Sequence, residues 1–373
     1  MMSVNQKVLY FSRDFTTHDQ RFLTSLSETV FEIAYLRLEN RHKRKAEEVL
    51  PDIIKIFPAL NQDSFFSYSK ILNNLNKLKK IIQEFKPDLI HAGPIQSCAF
   101  LVALSGFSPL ITMSWGSDIL VDSENNILNK WNTKYTLGKT NQFLGDCETV
   151  KEKAIQIGFS QEKITVFPWG INLDKFKPEN NSDIRNQLGW QDNFIILSLR
   201  SWEEIYGVDL VVKAFIDVSN QFPEIRLLLL GDGSQRNLLH QMISTAGVSD
   251  KVHFGGLIDQ NDLPQYYQTA DLYLSASYSD GSSVSLMEAL ASALPPLVSD
   301  IPSNQEWIKE GENGWLFKVG EVEDLQRKII TVVNNKPLLS DIRKQARQTA
   351  EKKADWTLNF QKLMNAYKKA LSV

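Results

Sequence analysis

An arginine, two carboxylates and a run of serines stand at spacings that suit a negatively charged, hydroxyl-rich ligand. Ser277–Glu288 reads SYSDGSSVSLME, a polar loop running into the amphipathic stretch VSLMEALASAL. The expected helix start places the amides of Ser282, Ser283 and Val284 where a phosphate can take them, with Gly281 and Ser285 on either side. Asp280 precedes the helix and Glu288 lies inside it, and both carboxylates can accept hydrogen bonds from sugar hydroxyls. The plainer alternative is an Asp near the cap and a solvated helix Glu. Arg200 ends the apolar run IILSLR, where a guanidinium can clamp a phosphate or form a surface ion pair. Leu227–Gly233, LLLLGDG, ends a strand in Gly231 and Gly233, half of a dinucleotide fingerprint. Arg236 fills the third glycine position, so a plain strand-to-helix turn is the favoured reading there.

A second group of polar residues sits at strand ends of the first half. His18 and Asp19 fall in an expected strand-to-helix loop, SRDFTTHDQRF; His91 ends DLIHAG and Asp118 ends SWGSD. Each alone is more often structural, but their common placement points to one ligand-facing edge. No CxxC, HExxH or Asp-x-Asp motif occurs and the five histidines are scattered, so neither a metal nor another cofactor is expected. A GxSxG nucleophile elbow is absent too.

The elements that must position these groups alternate. Val8–Phe11, Val30–Leu36, Asp88–Ala92, Leu110–Ser114 and Ile164–Phe167 read as buried strands, separated by amphipathic stretches such as Ser69–Phe85 and Asn125–Leu137. Strands at Phe194–Leu199, Arg226–Leu230, Val252–Phe254, Leu272–Leu274 and Leu297–Val298 then restart the pattern. Helices are expected near Leu210–Asn220, Ser234–Ala246, Leu263–Ala270 and Ser285–Ala293. Continuous apolar strands alternating with helices predict parallel α/β sheets. Two such patterns in tandem predict two doubly wound, Rossmann-like domains facing a central cleft, residues 1–168 and 169–354. Pro168–Pro178, PWGINLDKFKP, is the expected junction. A last helix, in residues 355–373, could pack on either domain and is a candidate to cross back onto the N-terminal one.

Composition narrows the function classes. With 43% hydrophobic and 23% charged residues, the chain is neither disordered nor a small stapled scaffold. Twenty basic and 18 acidic residues precede Pro168, against 21 and 26 from there on, so neither half suits nucleic acid. Two cysteines, Cys98 and Cys147, favour a reducing, cytoplasmic compartment. No secretory leader or transmembrane run is expected, so any membrane contact would be peripheral. The basic run Arg41–Lys45 and the Lys70–Lys86 segment are candidates for that contact, against the default of a solvated face.

Taken together, the pieces resemble family 4 of the glycosyltransferases, retaining enzymes of the GT-B fold. The likeness is most specific over Ser277–Phe317, SYSDGSSVSLMEALASALPPLVSDIPSNQEWIKEGENGWLF. The family has two Glu separated by seven residues, and Asp280 and Glu288 have that spacing. Glu306 and Gly311–Gly314 continue the pattern. The resemblance implies transfer of a hexose from a nucleotide-diphosphate sugar, a UDP-hexose such as UDP-glucose being the expected donor. The acceptor would be a saccharide or lipid-linked, in surface polysaccharide synthesis at the inner face of the plasma membrane.

Under this resemblance the expected catalytic set is Arg200, Asp280, His91 and Asp118. Glu288 would hold the donor ribose, and Gly281, Ser282, Ser283, Val284 and Ser285 its diphosphate, beside Tyr206. Gly231 and Gly233, with His253, Phe254 and Gly255, would border the base. His18, Asp19 and Trp115 would lie on the acceptor or phosphate side. The sequence departs from the family at four places. Asp280 replaces a Glu, Tyr206 stands where Lys usually precedes Gly207, Thr17 and His18 replace paired glycines, and Trp115 stands where a His is common. A GT-B epimerase or phosphorylase is the rival enzyme reading, and the changes at Asp280, Tyr206 and Trp115 keep open an inactive scaffold that binds a nucleotide sugar.

Overall fold

A computed structural model describes residues 6–40, 50–61, 67–179 and 183–372. The basic run Arg41–Lys45 lies outside them. The chain divides into two compact units, Met1–Pro168 with Thr357–Val373, and Trp169–Trp356. Each is built on a parallel sheet with helical connections, so the expected α/β fold of two Rossmann-like domains is present.

In the first unit the strands are β1 (Lys7–Ser12), β2 (Glu32–Arg37), β3 (Lys55–Ile56), β4 (Leu89–Ala92), β5 (Leu110–Met113), β6 (Gln142–Gly145) and β7 (Ile164–Val166). Their order is β3-β2-β1-β4-β5-β6-β7, so chain direction across the sheet reverses at β1. Alternate residues of β1 serve different faces. Leu9 and Phe11 join the apolar core beneath helices Ile71–Phe85 and Phe100–Ser105. Tyr10 turns toward a cluster of rings: Phe22, Tyr35 and His91 lie 6.2, 6.1 and 4.8 Å from it.

In the second unit, β8 (Phe194–Leu199), β9 (Ile225–Leu230), β10 (Val252–Gly256), β11 (Leu272–Ser275), β12 (Pro296–Ser299) and β13 (Trp315–Phe317) take the order β10-β9-β8-β11-β12-β13. Here the order reverses at β8. Ile196, Leu227 and Leu229 feed the core on one face, and Ile195, Leu197, Leu228 and Leu230 the core on the other. Burial on both faces is why these runs are continuously apolar. Ligands collect at the carboxyl ends of strands beside such reversals, which here are the ends of β8 and β11.

Several elements differ from the sequence expectation. Strand β2 begins at Glu32, and Val30 is exposed. The short strands β3, β6 and β13 were not expected, since two to four residues carry almost no periodic signal. His18 and Asp19 lie in the first turn of helix Thr17–Ser27 rather than in a loop. Asp118 lies in a short helix, Ser117–Leu120, one turn past the end of β5.

Candidate active site

The carboxyl ends of β8 and β11 hold most of the groups singled out in the second half. Arg200 leaves β8 with a side chain only 12% exposed. One guanidinium nitrogen, Nη2, pairs with Asp280 Oδ2 at 2.8 Å. The other, Nη1, donates to Ser283 Oγ at 2.6 Å and Ser285 Oγ at 3.3 Å. The Tyr206 ring lies 4.2 Å from its central carbon, a cation–π contact on the flat face. Burial works against the guanidinium's charge, and Asp280 more than restores it. For Asp280, burial raises the carboxyl above its ordinary value against the pull of Arg200.

Local backbone explains these positions. Ser283 is the N-cap of helix Val284–Ala291, and its hydroxyl accepts from Leu286 N. It is therefore both a helix cap and an acceptor for Arg200. Gly207 ends the turn Glu204–Tyr206 with φ 58°, and a Cβ there would collide with the Ala276 carbonyl. That close approach locks the β8 loop against the β11 loop and sets Tyr206 over Arg200.

Glu288 is 2% exposed, and Tyr267 donates to its Oε2 at 2.8 Å. Burial and then Glu288 hold the Tyr267 hydroxyl well above its ordinary value, so it stays protonated and donates. Tyr273 Oη lies 2.7 Å from Ser285 Oγ, and Trp307 Nε1 donates to Ser282 Oγ at 3.2 Å. Sequence reasoning missed Tyr267, Tyr273 and Trp307. No motif spacing links them to partners that are 12 to 25 residues away.

The two glycines of LLLLGDG have packing roles. Gly231 has φ 123°, and a side chain there would strike the Arg200 carbonyl; at Gly233 it would strike the Trp202 backbone. They let the β9 loop approach the β8 loop. Phe254 stacks on His240 with ring centroids 3.8 Å apart, while His253 turns to the opposite face beside Trp190. A Cβ at Gly255 would overlap Leu230. These residues border the carboxyl ends of β9 and β10, but the Phe254 ring belongs to the helix-side core.

In the first unit the structure separates positioning from exposed residues. His91 is fully buried among Tyr10, Phe22 and Tyr367, and its Nδ1 lies 2.8 Å from Tyr367 Oη on the last helix. Burial pushes its imidazole down to about 3, so it is neutral. That is a core histidine, with no surface open to substrate. Asp19 is likewise fully buried: it accepts from Thr16 N and Tyr10 Oη and completes the capping box of its helix. Asp118 accepts from Ile95 N, Ser114 Oγ and Trp115 N. It therefore ties the end of β5 to the turn after β4. His18 and Trp115 remain partly exposed, their rings 5.5 Å apart at the carboxyl edge of this sheet.

Among the described residues, no group of three His, Cys, Asp or Glu side chains is placed to hold a metal ion. No described helix is long and apolar enough to cross a membrane.

Family models match two stretches of the chain. Residues 7–146 match "Glycosyl transferase 4-like" and residues 180–349 match "Glycosyl transferases group 1". Among curated proteins, the alpha-monoglucosyldiacylglycerol synthase of Acholeplasma laidlawii is 26% identical over 219 residues, 55% of this chain and 54% of the relative. The synthase of the same name from Streptococcus pneumoniae is 32% identical over 160 residues, 41% of this chain and 36% of the relative. The chain thus spans about half or less of these two relatives. Sulfoquinovosyl transferase SQD2 of Arabidopsis thaliana is 25% identical over 317 residues, 80% of this chain and 60% of the relative.

The fold of HepE of Anabaena, crystallised with UDP-glucose, superposes with a TM-score of 0.82 at 20% identity, covering 97% of this chain and 99% of that one. Sucrose-phosphate synthase of Thermosynechococcus elongatus gives 0.80 at 16% identity, covering 98% and 99%. Two parallel Rossmann-like domains, a glycosyl transferase 4-like region at 7–146 and a glycosyl transferases group 1 region at 180–349 identify the chain as a protein of the GT-B glycosyltransferase fold.

Proposed function

We propose that this protein is a retaining glycosyltransferase that moves a hexose from a UDP-sugar, glucose being the favoured one, to a saccharide or lipid-linked acceptor. The observation that carries the reading is Arg200, largely buried at the start of helix Val284–Ala291 and donating to Ser283 and Ser285. In this reading the donor diphosphate takes the place of the Asp280 carboxylate on Arg200. The released Asp280 then accepts from hydroxyls of the transferred sugar, and Glu288, steadied by Tyr267, accepts from the ribose. Negative charge grows on the diphosphate as the glycosidic bond breaks. A guanidinium and helix-start amides already in place stabilise it without reorganising. They supply the charge that a metal gives other transferases, so activity is expected to survive EDTA. The names of the relatives support transfer of a sugar, and that of the glucosyldiacylglycerol synthase a lipid acceptor. The expected setting is the inner face of the plasma membrane, in surface glycan or glycolipid synthesis.

A second reading, a donor-binding protein that no longer transfers, draws on the same Arg200–Asp280 pair, which holds the arginine on a carboxylate of the chain itself. Thermal shift with UDP, GDP, ADP and CMP, followed by transfer from the matching donor sugars, separates the two. A nucleotide at about 100 times its Kd stabilises by about 2.7 kcal/mol. Stabilisation by UDP with turnover supports the transferase. Stabilisation without turnover on any tested acceptor supports the inactive binder, and no response to any nucleotide sinks both.

A further inference from the structure

One helix of the first unit turns apolar residues to water. In Ile127–Lys139, ILNKWNTKYTLGK, Ile127 is 88% exposed, Leu128 50% and Trp131 52%. Scattered surface apolar groups need no explanation, but three large ones on the first two turns of one helix do. Trp131 is held in place: it stacks on Tyr135 at 5.4 Å and meets the edge of Phe100 at 6.0 Å. The helix carries three lysines, Lys130, Lys134 and Lys139, and no acidic residue. Glu124, the nearest acid before it, is paired with Lys153.

The same helical layer continues the pattern. Helix Phe100–Ser105 packs between Ile127–Lys139 and Ile71–Phe85, and the latter exposes Leu72, Lys79 and Lys80. In a parallel sheet each connecting helix starts at the carboxyl edge of the strands. Leu72 and Ile127 therefore lie toward the edge that carries Trp115. Rigid apolar side chains at one end of a lysine-rich, acid-poor helical face match an anionic bilayer, whose phosphates meet the lysines while its acyl boundary takes the rings.

We propose that the outer face of helix Ile127–Lys139 docks on an anionic lipid surface, with Ile127, Leu128 and Trp131 entering the interface and Lys130 and Lys134 on the lipid phosphates. This deepens the acceptor side of the proposed function and rests on that reading for its purpose. Vesicle binding is measured without donor or acceptor, so its failure is distinct from a failure of transfer.

Co-sedimentation with phosphatidylglycerol–phosphatidylcholine vesicles, against phosphatidylcholine alone, is the test. Wild type should bind the anionic vesicles preferentially and lose binding as salt rises. The Ile127→Ser/Leu128→Ser/Trp131→Ser variant should bind at least about tenfold more weakly, as should Lys130→Glu/Lys134→Glu, with the nucleotide response unchanged in both and the melting temperature unchanged in the lysine variant. Wild-type binding that ignores lipid charge, or variants that bind as wild type does, would overturn the proposal. So would a loss confined to Lys79→Glu/Lys80→Glu. Light scattering that shows a dimer which the triple serine variant converts to monomer would assign the face to a second copy instead.

Discussion

At the scale of single residues, five of the second-half candidates form one network and the first-half candidates do not. Arg200, Asp280, Ser283, Ser285 and Tyr206 converge on one guanidinium. Tyr206 stands where the resemblance in the sequence expects a lysine. It lacks the charge of a lysine, but its ring covers a face of Arg200 and holds the fork toward the helix start. Arg200→Ala should cost roughly 2–4 kcal/mol in kcat/KM, by analogy with losing one preorganised donor. Tyr206→Phe should retain most activity, while Tyr206→Ala lowers kcat more than it raises KM, because the arginine loses its stacking partner. Steady-state kinetics on the three variants check this, and equal loss in the Phe and Ala variants would mean that the hydroxyl matters rather than the ring. Arg200, Asp280 and Glu288 were legible because they sit at fixed spacings from a strand end and a helix start. Tyr267 and Tyr273 were not, because only the fold carries them to Glu288 and Ser285.

At the scale of elements, two carboxylates that read as ligand-facing turn out to hold chain ends. Asp19 completes a capping box, and Asp118 ties the end of β5 to the turn after β4. Burial pushes each up to about 6, against the hydrogen bonds that favour the charged form. A carboxyl whose folded value lies above its unfolded one makes the native state bind more protons, so its contribution to stability falls as pH rises from about 4 to about 6. Urea denaturation of wild type and Asp118→Asn should therefore give a stability gap wider at pH 4 than at pH 7, by roughly 2 kcal/mol. A gap that stays flat would mean that the fold leaves the Asp118 carboxyl at its unfolded value. The sequence displayed the polar residue at the end of an apolar run, and an internal cap looks the same there as a ligand contact. Which of the two it is depends on whether donors from other segments surround it.

At the scale of the molecule, the last helix completes the first unit from the far end of the chain. Tyr367 packs its ring between Phe31 and His91, at 5.8 and 5.7 Å, and its hydroxyl meets His91. Replacing Tyr367 by Ala should destabilise this unit by roughly 3 kcal/mol, and Tyr367→Phe by roughly 1 kcal/mol through the lost hydrogen bond. Chemical denaturation checks the order, and two negligible costs would mean that the helix contributes little to that core. The sequence by itself determined the α/β class, the restart of the pattern near residue 190 and the spacing of Arg200, Asp280 and Glu288 from a strand end and a helix start, because those are periodic or closely spaced and survive in one dimension. Only the tertiary structure decided that residues 357–373 belong with the first unit, that His91 is a core group, and that Ile127, Leu128 and Trp131 are left in water. Those outcomes depend on what lies across from each side chain, and neighbours brought together from distant segments leave no local mark in a sequence.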